Sequence, residues 1–292
     1  MVVKKIRAFV KEKLVNSVFF RPLIKIGLNS VVSLELFYER TLDLLHKTPG
    51  QLGDVSHATA VIKTFERPKK LQRLVSSIRR TFPMLKIIIV DDSRNPISLS
   101  DTGIERVTLP YDSGVSAGRA AGLERVTTPY VINLDDDYIF SRKTRLIHAL
   151  AYLERNNNVD LVAGEVTYLP YYIRFDYTTH KLMNYQSNPL YEKGTEIDGL
   201  KVFEKCANFF VARTDKLKSV GWDPNLKRLD HADFYTRARG KITTVFDPDM
   251  ELLHDQTHFD QNYLKVRHDY SQDSKVLNDR YSANKKTGDK NS

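Results

Sequence analysis

At 292 residues the chain has room for one large α/β domain or two small ones, and 41% hydrophobic with 28% charged residues excludes wholesale disorder. A single cysteine, Cys206, excludes an intrachain disulfide framework and a cysteine-based zinc site, and it suits a reducing compartment. The net charge of +9 is gathered near the two ends, where it would attract polyanions, yet no RNP, KH or zinc-finger pattern points to nucleic acid.

Residues 1–50 form a region of their own. Val2, Val3, Ile6, Phe9, Val10 and Leu14 recur near helical spacing among Lys4, Lys5, Lys11 and Lys13, and a second apolar stretch follows to Phe37. A basic amphipathic segment of this kind lies in an anionic membrane interface through residues 1–30, or packs on the catalytic domain or a partner. No uninterrupted apolar run follows the N-terminal charges, as a signal peptide requires, and no window reaches the roughly 18 apolar residues that span a bilayer. Thr48, Pro49, Gly50, Gly53 and Asp54 read as a linker.

From Ala58 the pattern changes. ATAVIKTFER reads as a buried strand running into a polar loop, and Pro68 suits the first turn of a helix. Leu71, Leu74, Val75, Ile78 and Phe82 then mark one apolar stripe, and KIIIVDDS reads as a second strand. Strand, helix and strand in this span predict a βαβ unit with parallel strands. Ile104–Leu109 is a third strand. Gly114, Gly118 and Gly122 then open a helix, either to admit a phosphate close to the backbone or for plain helix packing.

The stretch Tyr130 to Phe140, YVINLDDDYIF, carries the chemistry. A short apolar run ends in Asp135, Asp136 and Asp137. Three adjacent carboxylates at a strand end repel one another unless a cation neutralises them, and hard oxygen donors at this density suit Mg²⁺ or Mn²⁺. The plainer alternative is a solvated acidic turn before the helix predicted from Arg145. Further on come a strand at Val159–Ala163, a tyrosine-rich section from Thr167 to Leu200 without clear period, and a strand at Cys206–Arg213. Asp230-His231-Ala232-Asp233 opens a short helix, in which acids ordinarily favour the first turn. His254 and His258 flank Asp255, a spacing compatible with a metal ligand or with a structural histidine. Beyond Tyr270 the sequence reads as a polar tail, 271–292.

Lys63-Thr64-Phe65, Ser77-Ile78-Arg79-Arg80, Asp91-Asp92-Ser93, Ala117-Gly118-Arg119, Asp135-Asp136-Asp137 and Asn208-Phe209-Phe210-Val211-Ala212-Arg213-Thr214 stand in a familiar order. Together they resemble the GT-A fold of inverting, family 2 glycosyltransferases, above all the catalytic domain of animal ganglioside β1,4-N-acetylgalactosaminyltransferases. The resemblance implies an α/β, mostly parallel sheet flanked by helices over residues 55–270, a UDP-sugar donor and a glycan or glycolipid acceptor. It implies Thr64, Glu66, Arg67 and Asp92 near the uridine, and Gly118 and Arg119 along the nucleotide-sugar path. It also implies Asp135, Asp136 and Asp137 at the ribose and metal–diphosphate, His254 as a further metal or diphosphate contact, and Asp233 as catalytic base. A sugar-phosphate nucleotidyltransferase is the rival enzyme, although no GxGTR-type loop follows the first strand. A basic membrane- or nucleic-acid-binding module is the non-enzymatic rival. The enzyme is expected in the cytoplasm, peripheral at the inner membrane face.

Overall fold

The computed structural model describes residues 20–45, 53–179, 181–183, 187–256, 260–267 and 269–282. The amphipathic segment 1–14, the residues Thr48 to Gly50, His258 and the end of the tail, 283–292, lie outside the described residues. Helix α1 (Phe20–Leu45) precedes β1 (Ala58–Thr64), α2 (Pro68–Thr81), β2 (Lys86–Asp91), β3 (Ile104–Thr108) and α3 (Val115–Arg125). Then come β4 (Tyr130–Asp135), β5 (Tyr138–Ile139), α4 (Leu146–Arg155), β6 (Leu161–Leu169), β7 (Glu196–Ile197), β8 (Leu200–Val202) and β9 (Phe210–Arg213). Helices α5 (Thr214–Val220) and α6 (Asp230–Ala238), strand β10 (Thr244–Asp255) and helices α7 (Gln261–Arg267) and α8 (Ser271–Ser282) complete the fold.

The strands form one sheet ordered β3-β2-β1-β4-β9-β6-β10-β8-β7, with β5 against β10. The first four are mutually parallel, β9 runs antiparallel between β4 and β6, and β6 and β10 are parallel again. Every residue of β1 is buried, as expected of a strand covered on both faces. Ile62, Leu71, Ile78, Ile132 and Phe209 fill one face of the sheet, and Val61, Val90, Leu123, Phe210 and Phe234 fill the other.

Three elements differ from the sequence expectation. The sequence reads as strand from Ile242 to Phe246, whereas β10 continues past Pro248 as far as Asp255, because a register shift between Asp247 and Glu251 takes the proline out of the ladder. Strand β6 continues to Leu169, so its tyrosine-rich end is ladder rather than loop. The expected polar tail is helix α8 from Ser271 to Ser282. Its few anchors suffice: Leu277 and Tyr281 pack with Leu226, and the buried Asp273 accepts hydrogen bonds from the backbone N–H groups of Lys227, Arg228 and Leu229. Those amides lead into α6, so α8 fixes the helix that starts beside the site.

Candidate active site

Parallel strands β1, β2 and β4 end level with one another, and ligands in such sheets bind outside the carboxyl ends. Lys63 is in register with Val90 on one side and Asp135 on the other, which gathers the three strand-end loops. Thr64 Oγ1 donates to Asp136 at 2.7 Å. Arg67, just before α2, binds Asp137 at 2.6 Å through Nη1 and Asp136 through Nη2. Strand β5 turns the chain back from the aspartates and pairs antiparallel with β10, Tyr138 opposite His254. That pairing sets His254 Nε2 3.1 Å from Asp137 Oδ2.

The two adjacent carboxylates are pushed apart in acidity. Burial, aided by the neighbouring Asp137 charge, raises Asp136 to about 6 against the pull of Arg67. Burial would raise Asp137 as well, but Arg67, His254 and Lys70 outweigh it and hold that carboxyl well below its usual range. Asp137 is therefore the more acidic member of the pair, and it is the one that lines the cavity.

Above these residues opens a cavity of about 300 Å³, lined among others by Lys63, Arg67, Asp135, Asp137, Arg228, His254, Tyr263 and Arg267. Its four cations against two carboxylates suit a polyanion more than a neutral ligand. Tyr263 of α7 lies over the Arg67 guanidinium at 4.4 Å. Asp92 is fully buried, where it binds Lys63 and accepts from Gly114 N–H at 2.9 Å. Gly114 has φ of 102°, a conformation that L side chains rarely adopt.

The expected site residues divide into those at the cavity and those behind it. Arg67, Asp135, Asp137 and His254 line it. Thr64, Asp136, Asp92 and Arg119 stand behind. Arg119 is almost fully buried and bridges Asp135 and Asp230. A Cβ on Gly118 would meet Lys63 Cγ at 2.4 Å, so Gly118 is small because α3 packs on that lysine stem. Glu66 is exposed; its backbone N–H donates to Ser93 and its carboxylate accepts from Arg94 N–H at 2.8 Å, which ties two loops together.

Asp233, the base implied by the resemblance, is enclosed. It is fully buried and accepts from Arg237 at 2.7 Å, Arg280 at 2.6 Å and Tyr281 at 2.8 Å. Two of these partners, Arg280 and Tyr281, come from α8, so the geometry makes Asp233 the anchor of α8. Lys63, Arg228, Tyr263 and Arg267 were not singled out from the sequence. Lys63 stood inside the quoted KTF motif, and Tyr263 and Arg267 share an i, i+4 face of α7, a signal visible only once α7 is known to cover the cavity.

The family model described as glycosyl transferase family 2 matches residues 59–221, more than half of the chain. The chain belongs to glycosyl transferase family 2. The mouse β-1,4 N-acetylgalactosaminyltransferase 2 is 34% identical over 202 residues, covering 67% of this chain and 39% of that protein. The rat β-1,4 N-acetylgalactosaminyltransferase 1 is 37% identical over 208 residues, with 67% and 38% covered. The chain thus spans about two fifths of the length of these family 2 relatives. The crystal structure of S. aureus TarS 1-349 in complex with UDP-GlcNAc shares the fold with a TM-score of 0.50 at 14% identity, covering 72% of this chain and 64% of that one. The GT-A architecture anticipated from the sequence is the one observed.

Proposed function

We propose that this family 2 glycosyltransferase moves a sugar from a UDP-sugar to a hydroxyl of a glycan acceptor by a single in-line displacement with inversion. GalNAc is the first choice of sugar, on the likeness to the named relatives. One observation carries the reading: Asp135 and Asp137 open into a cation-rich cavity at the carboxyl end of β4, with His254 folded onto Asp137. In this reading Lys63, Arg67, Arg228 and Arg267 receive the diphosphate. Asp135, oriented by Arg119, receives the ribose, and the Thr64–Asp136 pair supports the floor beneath the nucleotide.

A divalent cation, Mn²⁺ or Mg²⁺, fits this donor set only in part. No cluster of three or more histidine, cysteine or acidic side chains occurs among the described residues. Asp137 and His254 supply two ligands, and His254 Nδ1 is buried without a partner among the described residues. Two protein ligands with the rest from phosphate and water is the usual manner of Mg²⁺ at nucleotide sites. When bound, the ion would neutralise charge on the departing nucleoside diphosphate. Arg67, which already neutralises Asp136 and Asp137, holds the pair in register before donor binding. A cytoplasmic setting is part of the same reading, and the buried, free Cys206 suits a reducing compartment.

The test is a donor panel: UDP release from several nucleotide sugars, with and without Mn²⁺. Metal-stimulated UDP release from UDP-GalNAc supports the proposal. Pyrophosphate release from UTP and a sugar phosphate would instead make the chain a nucleotidyltransferase.

A further inference from the structure

Helix α1 has two apolar faces, and among the described residues only one is packed. Val32 packs with Ile139, Leu169 and Leu253, and Leu36 adds to that cluster. On the opposite face Leu23, Ile26, Leu34 and Phe37 are 65%, 63%, 67% and 69% exposed. Their spacing of three, eight and three residues keeps them on one side of a 3.6-residue helix. Large apolar side chains aligned along a helix mark an interaction surface rather than scattered exposure.

The charge on that surface has one sign. Among the described side chains of α1, the exposed charged residues are Arg40, which flanks the apolar row, and Lys25, which lies two turns before Val32 at the edge of the packed face. The two glutamates are partly buried and hydrogen-bonded: Glu35 accepts from Tyr172 Oη, and Glu39 accepts from Arg142 N–H at 3.4 Å. The Glu35–Tyr172 contact also joins α1 to a second exposed group, Tyr171, Tyr172, Ile173 and Phe175. The chain ahead of α1 adds Lys4, Lys5, Arg7, Lys11 and Lys13 against Glu12. Apolar and aromatic side chains with basic residues, and no exposed acid among the described side chains of α1, match a bilayer interface of anionic lipid, which rewards both insertion and positive charge. No helix among the described residues is long and apolar enough to cross a membrane, so α1 would lie along the surface.

We propose that the outward face of α1, continued by Tyr171 to Phe175, docks the enzyme on an anionic lipid bilayer. The packed face of α1, beneath the docked one, adjoins the donor site. Lys25, Leu28 and Val32 line a small cavity with Asp255 and Gln256, and Gln256 also lines the donor cavity. A membrane-seated α1 therefore presents the mouth of the site to acceptors carried on lipid. Docking does not depend on the transfer reaction; the choice of a lipid-linked acceptor does.

The experiment is flotation of the full chain with phosphatidylcholine vesicles, with and without phosphatidylglycerol. Flotation is expected only with the anionic vesicles and should fall at least tenfold in the Leu34→Glu/Phe37→Glu variant. It should also fall in Arg40→Glu, which leaves the apolar row intact. UDP release without vesicles verifies that each variant is folded, and it fails separately if the transferase reading is wrong. Undiminished flotation of Leu34→Glu/Phe37→Glu would assign membrane binding to residues 1–19 and overturn the proposal. So would a dimer in light scattering that this variant dissociates, since the face would then belong to a second copy.

Discussion

His254 Nε2 lies 3.1 Å from Asp137 Oδ2, across the antiparallel pairing of β5 with β10. The two residues are far apart in sequence, and one oxygen of Asp137 serves both His254 and Arg67. Donor binding should consequently depend on both. Asp137→Asn is expected to abolish Mn²⁺-dependent UDP binding. His254→Ala should weaken it by about a hundredfold, the upper end of what loss of a supporting group at a metal site costs. Calorimetric titration of UDP with and without Mn²⁺ checks this, and equal UDP affinity in wild type and both variants would remove the cation from the proposal.

Arg119 holds two carboxylates at once, Asp135 at the cavity and Asp230 at the start of α6. Arg119→Met would leave both acids without their shared cation and should cost about 3–5 kcal/mol of stability, as breaking buried pairs does. Arg119→Lys retains the charge but loses the planar fork that reaches both partners. It should fold while its kcat/KM for the donor falls by at least about tenfold, in line with other orienting groups. Urea unfolding separates the two variants, and donor kinetics measure the second.

Gly118→Ala should act through Lys63. The added methyl would meet the lysine stem at 2.4 Å, and that lysine is held by Asp92. Overpacking of this kind costs about 1–3 kcal/mol. A lower Tm together with weaker UDP binding is expected, because the displaced Lys63 lines the cavity.

The first half of the domain was legible because its signals are local. The runs ATAVI, KIII and YVINL are short and apolar and form β1, β2 and β4, the last two with aspartates at their ends. The second half was less legible because its signals are long-range. The strand-like run Ile242 to Phe246 stops short of Pro248, whereas the bulge that carries β10 past that proline exists only against β6. Helix α8 has few apolar residues, and its stability rests on Asp273, Arg280 and Tyr281 meeting partners some 45 residues or more away. Asp233 looked like a first-turn acid near the site, and only the tertiary fold shows that its carboxylate is enclosed.

Asp233→Asn is the direct test of that anchoring role. An amide there retains the shape but loses the charge that Arg237 and Arg280 neutralise. Stability should drop by about 3 kcal/mol, the low end for one-sided loss of a buried pair. The folded fraction should keep its kcat within a few-fold. A loss of kcat by orders of magnitude with an unchanged Tm would restore Asp233 as the catalytic base.

His231 sets an acid limit on the fold. Its Nε2 lies 2.5 Å from the Cys206 carbonyl oxygen, a contact that the neutral ring makes by donating its proton. Burial first, then the Lys205 and Arg119 charges, lowers its pKa from 6.5 to about 3, although the Cys206 bond and Asp135 pull the other way. The unfolded chain therefore takes up a proton near 6.5 that the folded chain refuses until about 3. Stability from this group is complete above 6.5 and is lost as the pH falls through that window, at about 1.4 kcal/mol per unit. At pH 5 the loss is about 2 kcal/mol. His231→Gln has no such proton to gain, so its urea midpoint should fall less between pH 7 and pH 5 than that of the wild type. Parallel loss in both proteins would show that another group governs the acid limb.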